Sequence, residues 1–413
     1  MSKRLLAINW DMPPLSGPRA VQVSRTLKHL VALGWESTVV CFLPRSSRYN
    51  QDPELAARLS ADGGVSLAPV PSLEERAFFR ALWRIAPPIK LLPDEKWVWV
   101  ADAARVAHRL NAERRFDVLV SFAQPWSDHL IGLRVHRATG LPWIAHFSDP
   151  WTDSPYLRGR AWQHRIWRRM EGDVVRHADA LIFVNHQTKT RTMGKYPGEW
   201  EAKAHVVPHG FDCADLPPRP AGLTDDGPLR LVYTGRFYEG IRTPEPLLRA
   251  LARIAARRPL AGDVRVVFVG TRVSAYERLA CALGLGAVVE FTGRLPFAQS
   301  AAIAASADVL LVIDAPSDDN LFLPSKLIDY LPLARPILGL TPAAGATADV
   351  LRALGHAIVP PDDEGAIAAA VERLIDAKRA GALTTPAAHH TGAAAYDIRN
   401  TTRAFDAILR QCA

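Results

Sequence analysis

The sequence predicts an α/β protein built from two doubly wound parallel-sheet domains, and three observations carry that expectation. Short β-branched apolar runs alternate with amphipathic helical patterns through most of the chain, as when crossover helices bury both faces of a sheet. At 413 residues the chain exceeds what one core ordinarily organises, and two units of about 200 are the default. The halves also differ chemically. Residues 1–214 hold 29 Lys and Arg against 21 Asp and Glu, with all eleven Trp, whereas residues 215–413 hold 21 of each sign. The whole formal excess of +8 belongs to the first half, which argues for two domains with different partners.

A hydrophobic content of 48% suits a large soluble core. Cys41, Cys213, Cys281 and Cys412 are scattered without metal-type pairing, so a reducing compartment, no disulfide framework and no metal are expected. The chain runs directly into a strand, leaving no room for a signal peptide, and no apolar run reaches the roughly 18 residues of a spanning helix. The expected location is cytoplasmic, peripheral on the inner face of the plasma membrane.

In the first half, strands are expected at 5–9, 37–42, 118–122, 143–147, 180–184 and 205–208, with helices at 21–33, 102–114, 129–139 and 160–177. Between the first strand and helix lies Pro13-Pro14-Leu15-Ser16-Gly17-Pro18-Arg19. Gly17 beside Ser16 lets backbone approach a ligand closely, although a plain turn reads the same way. Three spaced glycines, the dinucleotide-binding fingerprint, are absent.

Residues 76–99 interrupt the alternation by mixing cations with large apolar groups, among them Arg80, Trp83 and Arg84. A second such patch contains Arg165, Trp167, Arg168 and Arg169. Basic, aromatic-rich segments suit an anionic membrane surface, the alternative being solvated helix faces over core aromatics. Nucleic acid would use the same charges, but the neutral second half and the lack of a nucleic-acid motif argue against it. Between the patches, the segment 145–153, with His146 and Asp149, is placed just past the carboxyl end of the strand beginning at Trp143, where α/β sheets hold ligands. They are candidates for acceptor contact or proton handling, or else structural polar residues at a strand end.

The segment from Leu216-Pro217-Pro218 to Gly227-Pro228 is rich in Pro, Gly and acid and reads as a linker. The second half opens with a strand at 229–234, followed by Gly235-Arg236-Phe237-Tyr238-Glu239-Gly240-Ile241-Arg242. Strands at 264–269 and 288–292 and helices at 297–306, 346–354 and 364–377 build a second sheet unit, and 396–412 reads as a terminal helix.

The centre of this half is 308–340. A buried strand at 309–313 leads through a polar loop to Pro324-Ser325-Lys326-Leu327-Ile328-Asp329-Tyr330-Leu331. Ser325 has the chemistry of an N-cap, and Ser325, Lys326 and Asp329 fall within about 100° of one another on the helix. A helix N-terminus after a parallel strand, with Lys326 added, is an anion site. Asp329, one turn deeper, suits two sugar hydroxyls, and phosphate plus ribose makes a nucleotide. The plain alternative is a strand–loop–helix unit with a capped helix and an exposed Lys.

The stretch from Leu323 to Leu331, ending in Arg335-Pro336-Ile337-Leu338, resembles the donor-nucleotide motif of family 4 glycosyltransferases of the GT-B fold. So do Asp149-Pro150-Trp151-Thr152, the turn His209-Gly210-Phe211-Asp212, Gly235-Arg236 and Gly293-Arg294-Leu295. The resemblance implies two Rossmann-like domains facing across a cleft. Residues 1–214 would bind acceptor, 215–228 would link, 229–390 would bind the nucleotide sugar, and 391–413 would form a helix crossing back. It places the Ser16–Gly17 loop beneath the donor phosphates and Arg236 against the pyrophosphate. The family's second cation, a Lys, reads Glu239 here, so that role passes to Arg242. Backbone of Gly293, Arg294 and Leu295 would meet the base, Pro324, Ser325 and Lys326 the diphosphate, and Asp329 the ribose. Many members carry a Glu eight residues before this acid, near the transferred sugar, and this chain has Leu321.

The activity so implied is transfer of a sugar, with retention, from a nucleotide diphosphate to a glycan acceptor, lipid-linked, in cell-surface polysaccharide or glycolipid biosynthesis. Arg236, Lys326 and the helix terminus would stabilise the leaving diphosphate, whose oxygen takes the acceptor's proton without metal or other cofactor. Partners would be a nucleotide sugar, the acceptor and an anionic membrane surface, not nucleic acid. Two alternatives stay open. A non-hydrolysing sugar-nucleotide epimerase needs several acids and bases at the donor sugar, which Leu321 counts against. A non-catalytic partner subunit is favoured by the missing Glu and Lys.

Overall fold

Runs that are apolar on both faces become the central strands. Val118–Ala123 (Val-Leu-Val-Ser-Phe-Ala) and Trp143–Phe147 (Trp-Ile-Ala-His-Phe) form strands buried along their whole length, as parallel strands covered on two sides must be. In the computed structural model the chain divides into two units, Met1–Gly210 with Ile398–Ala413, and Phe211–Asp397. The structure describes residues 2–44, 49, 51–53, 57, 63–85, 90–217, 227–270 and 272–413. The middle of the expected linker, 218–226, lies outside the described residues.

The first unit is a parallel sheet of β1 (Lys3–Ile8), β2 (Trp35–Phe42), β3 (Val65–Val70), β4 (Val118–Ala123), β5 (Trp143–Phe147), β6 (Ala180–Phe183) and β7 (Ala204–Val206), in the order β3-β2-β1-β4-β5-β6-β7. Among the described helices are α1 (Pro18–Val31), α2 (Ala77–Ile85), α3 (Val100–Arg114), α4 (Ser127–Thr139), α5 (Ala161–His177) and α6 (His186–Met193). One face buries Trp10, Trp99, Trp126, Trp143 and Trp151. The other buries Leu27, Leu30, Trp35, Phe122 and Ile144 against Phe405 and Leu409 of the last helix, Ile398–Cys412. Tryptophan thus builds this core, and Trp99 and Trp167, read from the sequence as parts of surface patches, are fully buried. β3 escapes sequence reading because it is a half-exposed edge strand interrupted by Pro69.

The second unit orders β8 (Leu229–Gly235), β9 (Val264–Gly270), β10 (Val289–Gly293), β11 (Val309–Ile313), β12 (Ile337–Leu340) and β13 (Ala357–Val359) as β10-β9-β8-β11-β12-β13, all parallel. Its helices among the described residues include α7 (Glu245–Ala255), α8 (Ser274–Ala282), α9 (Phe297–Ala305), α10 (Ser325–Tyr330), α11 (Ala346–Ala353), α12 (Glu364–Arg379) and α13 (Ala387–Gly392). Strand order reverses between β1 and β4 in one unit and between β8 and β11 in the other. Connections leave such a pair toward opposite faces, and ligand crevices form at the carboxyl ends there. Among the described residues no helix is long and apolar enough to cross a membrane.

Candidate active site

At the second unit's switch point β8 ends in Gly235, and β11 leads directly into Asp314. α10, which follows, differs from the expectation. Pro324 occupies the cap position in extended geometry (φ −65°, ψ 130°) with no side-chain cap, and Ser325 is already helical. Proline suits that place because its fixed φ leads into the helix and no donor is wanted from it. With six residues the helix has little macrodipole, so positive potential here comes from side chains.

Lys326 is the chief of these, and it is not the exposed lysine of the plain reading. It is 9% exposed, and its Nζ has no hydrogen-bond partner. The ammonium position lies 3.8 Å from the Tyr233 ring centroid. It also packs against Gly235, where a Cβ would stand 2.5 Å from Nζ. Gly235 holds φ +139°, which L side chains rarely adopt, so glycine meets both a conformational and a spatial demand. Burial pushes the Lys326 amine well below its ordinary pKa, Arg242 adds to this and Asp314 opposes it. Asp314 is buried, and its Oδ2 accepts from Asn320 Nδ2 (2.8 Å) and Thr341 Oγ1 (2.9 Å). Burial raises its pKa, while hydrogen bonds and the nearby cations pull it back.

Arg242 is folded back onto the strand end. Tyr238 and Arg242 exchange backbone hydrogen bonds of 2.9 and 2.8 Å, and Arg242 Nη2 donates to the Arg236 carbonyl at 2.9 Å. The Arg236 side chain is exposed. Arg294, exposed after β10, has its pKa lowered by burial and then by the charge of Arg236. Arg236, Arg242, Arg294 and Lys326 therefore converge from three connections. Lys326 and Arg242 both act on the buried Asp314, and Arg236 on Arg294; such a concentration of one sign favours an anionic ligand. Gly293 has φ +76°, and Leu295, Ser325 and Asp329 are half-buried. Leu321 is buried.

The first unit gathers a second set around its own switch point. His146 lies inside β5 rather than past its end, because the apolar run continues to Phe147. It is 5% exposed, with ring centroids 5.2 Å from Phe122 and 5.7 Å from His209, and its Nδ1 has no partner. Burial holds His146 and His209 well below the ordinary histidine pKa, and Arg19 adds to both shifts. Asp149 accepts from Gln124 Nε2 at 3.2 Å, and burial raises its pKa against the pull of Arg19.

Arg19 is the residue that sequence reading passed over. It is 8% exposed, donates to the Ala123 carbonyl and leaves Nη1 without a partner. Asp149, Asp11 and Asp128 face it electrostatically. A cation in the first turn of α1 opposes the helix dipole, and that misfit was the available signal. Gly17 caps α1 at φ −74°, and a Cβ there would lie 3.4 Å from Asp11 Oδ2, an ordinary contact. Ser16 is half-buried beside it.

On the surface of the first unit, Arg84, Arg165, Arg168 and Arg169 are exposed and Trp83 is half-buried. The side chain of Arg80 lies outside the described residues. Trp167 Nε1 donates to the Leu91 carbonyl at 2.7 Å, joining α5 to the segment after α2. Phe78 (69%), Ile85 (83%) and Trp162 (40%) are exposed, as are Leu91 and Tyr156. Among the described residues no group of three His, Cys, Asp or Glu is placed to hold a metal ion.

Comparison with known proteins agrees with this geometry. The glycosyl transferase 4-like domain family matches residues 19–210, and the glycosyl transferases group 1 family matches residues 228–377. No curated protein matches the chain by sequence. Among solved structures, HepE of Anabaena in complex with UDP is similar with a TM-score of 0.69 at 14% identity, over 99% of this chain and 100% of that one. A glycosyltransferase from Rickettsia africae gives 0.70 at 13%, over 100% and 98%. WaaG, described as a glycosyltransferase of lipopolysaccharide biosynthesis, gives 0.62 at 14%, over 98% and 99%. At such identities the structures speak for the fold, and the two family matches speak for the activity. The chain is a glycosyltransferase of the GT-B fold, its first part matching the glycosyl transferase 4-like domain and its second the glycosyl transferases group 1.

Proposed function

We propose that this glycosyltransferase is a family 4 enzyme that moves a sugar, with retention, from a nucleotide diphosphate to a lipid-linked glycan acceptor in cell-surface polysaccharide or glycolipid synthesis. The observation that carries the reading is the chain of neighbouring cations Lys326, Arg242, Arg236 and Arg294 at the carboxyl ends of the second unit's strands. Diphosphate is the group that such a cluster stabilises, most strongly as it departs. In this reading Asp329 holds the ribose and the turn Gly293-Arg294-Leu295 meets the base. The bond from the anomeric carbon to the diphosphate oxygen breaks, and the acceptor hydroxyl bonds to that carbon on the same face. Its proton passes to the departing oxygen, so the protein supplies no nucleophile. His146, uncharged by burial, and Asp149 contact the acceptor. The solved complex of HepE with UDP supports a nucleotide-sugar donor, and WaaG supports a surface-glycan role. The exposed cations and apolar groups of the first unit support peripheral seating on an anionic membrane.

Binding of UDP, GDP, ADP and dTDP, followed by thermal shift and titration calorimetry, tests the donor site. Lys326→Ala is expected to weaken the diphosphate that binds by about 1–3 kcal/mol. Unchanged affinity in both Lys326→Ala and Arg236→Ala would overturn the assignment. Diphosphate release that occurs only with acceptor present separates transfer from epimerisation.

A further inference from the structure

We propose that Lys326 stands uncharged in the donor-free protein and takes up a proton from solvent as the donor diphosphate binds. The inference rests on the donor-site reading above and adds the charge state in which the site waits. An ammonium carries three donors, and here the nitrogen is nine-tenths buried with no acceptor in hydrogen-bonding reach. Each group facing it bears on the balance. From β8, the Tyr233 ring faces the amine at 3.8 Å and favours its charged form, and Gly235 packs against it. From the turn after β8, Arg242 repels a second cation. From the end of β11, Asp314 attracts one, but its hydrogen bonds go to Asn320 and Thr341 rather than to Lys326. On α10 itself, the Tyr330 hydroxyl is engaged with Thr234, and Asp329 is half-buried.

Burial and Arg242 together outweigh the aromatic face and the one carboxylate, and the amine's pKa falls accordingly. A diphosphate reverses this by bringing several charged oxygens within reach of Nζ, so that the ammonium becomes the favoured form. Burial raises the Asp314 pKa while its hydrogen bonds and the nearby cations pull it back, and a proton passed between the two side chains instead of drawn from solvent would leave no net uptake to measure.

Calorimetric titration with UDP, GDP, ADP or dTDP at about pH 8.5, in buffers of different ionisation enthalpy, measures the proton count directly. The terminal phosphate of these probes has a pKa of about 6, so the probes contribute no proton there. The expected result is uptake of about one proton per site, with Kd rising up to tenfold per pH unit as pH increases. Lys326→Arg, whose charge is fixed, is expected to take up none and to bind independently of pH. Because arginine must fit against Gly235, Lys326→Met serves as a second variant, binding more weakly and also without uptake. Binding by the wild type without uptake, or uptake that persists in both variants, overturns the proposal while leaving the donor site standing. Failure to bind any of the four probes overturns the donor-site reading together with it.

Discussion

Gly235 and Lys326 constrain each other, and neither can be understood from its own neighbourhood in the sequence. The glycine sits at φ +139°, and a methyl group on it would meet Nζ at 2.5 Å and Cε at 2.8 Å. Gly235→Ala is therefore expected to destabilise the protein by about 1–3 kcal/mol, from strained backbone and a displaced lysine. It should also lower nucleoside diphosphate affinity at least as far as Lys326→Ala does. Urea unfolding and titration calorimetry check the two effects, and a variant with wild-type affinity would show that the glycine does not seat Lys326. Sequence spacing placed Ser325, Lys326 and Asp329 on one helix face. It gave no sign that Lys326 is buried, because Tyr233 and Gly235 arrive from a strand many residues away. Arg19 was hidden for a related reason. Its three carboxylate neighbours come from separate connections, and only the sheet order brings them to one arginine.

Burial on both faces made the longer central strands legible, though not every buried element: the helix Glu245–Ala255, with five buried residues, was not named. The strands at 143–147 and 309–313 appear in the structure with the bounds read from the sequence, since runs apolar on both faces admit little else. β3, with one buried residue, and β13, with three residues in all, were not found, and neither was β12, which is fully buried but only four residues long. α6 was missed too, because His186–Met193 is mostly polar and carries little helical periodicity. The last helix illustrates the legible kind, with Ile398, Phe405, Ile408 and Leu409 buried along one face. Phe405 stacks on Phe122 at 6.1 Å and lies 6.2 Å from His146. Phe405→Ala is expected to cost about 3–5 kcal/mol, as for a large aromatic removed from a packed core. A loss below 1 kcal/mol in urea unfolding would mean that this helix is only loosely held.

For the molecule as a whole, the uneven charge matters more than its total. The fold class followed from strand–helix alternation and length, but tryptophan count misled about the surface, because most of these side chains are core. Among the described residues, what remains exposed is a smaller set, Leu67, Phe78, Ile85, Leu91, Tyr156 and Trp162, in the half of the chain that holds the +8 excess. Polybasic attraction of roughly 1 kcal/mol per cation fades beyond a Debye length of about 10 Å. Co-sedimentation with anionic liposomes is expected to rise with anionic lipid fraction and fall steeply with salt. Replacing Arg84, Arg165 and Arg168 with Ser should remove most of it and leave diphosphate binding intact. A protein that ignores such liposomes at low salt would have an ordinary surface there.

The last helix also has a consequence for how the chain is made. Trp35 Nε1 donates to Asp406 Oδ1 at 2.6 Å, and Arg410 Nη2 donates to the Leu33 carbonyl at 2.7 Å, so the opening and closing stretches of the chain finish one core together. A ribosome adds about 5–20 residues per second, and all of Phe211–Asp397 is translated before that helix exists. For on the order of ten seconds or more, the nascent first unit holds an apolar face open to water. The second unit is contiguous and can close as soon as it emerges. The order of completion is thus the reverse of the order of synthesis. A stop codon placed just before residue 398 would be met by cellular quality control as a defect in the half of the protein made first.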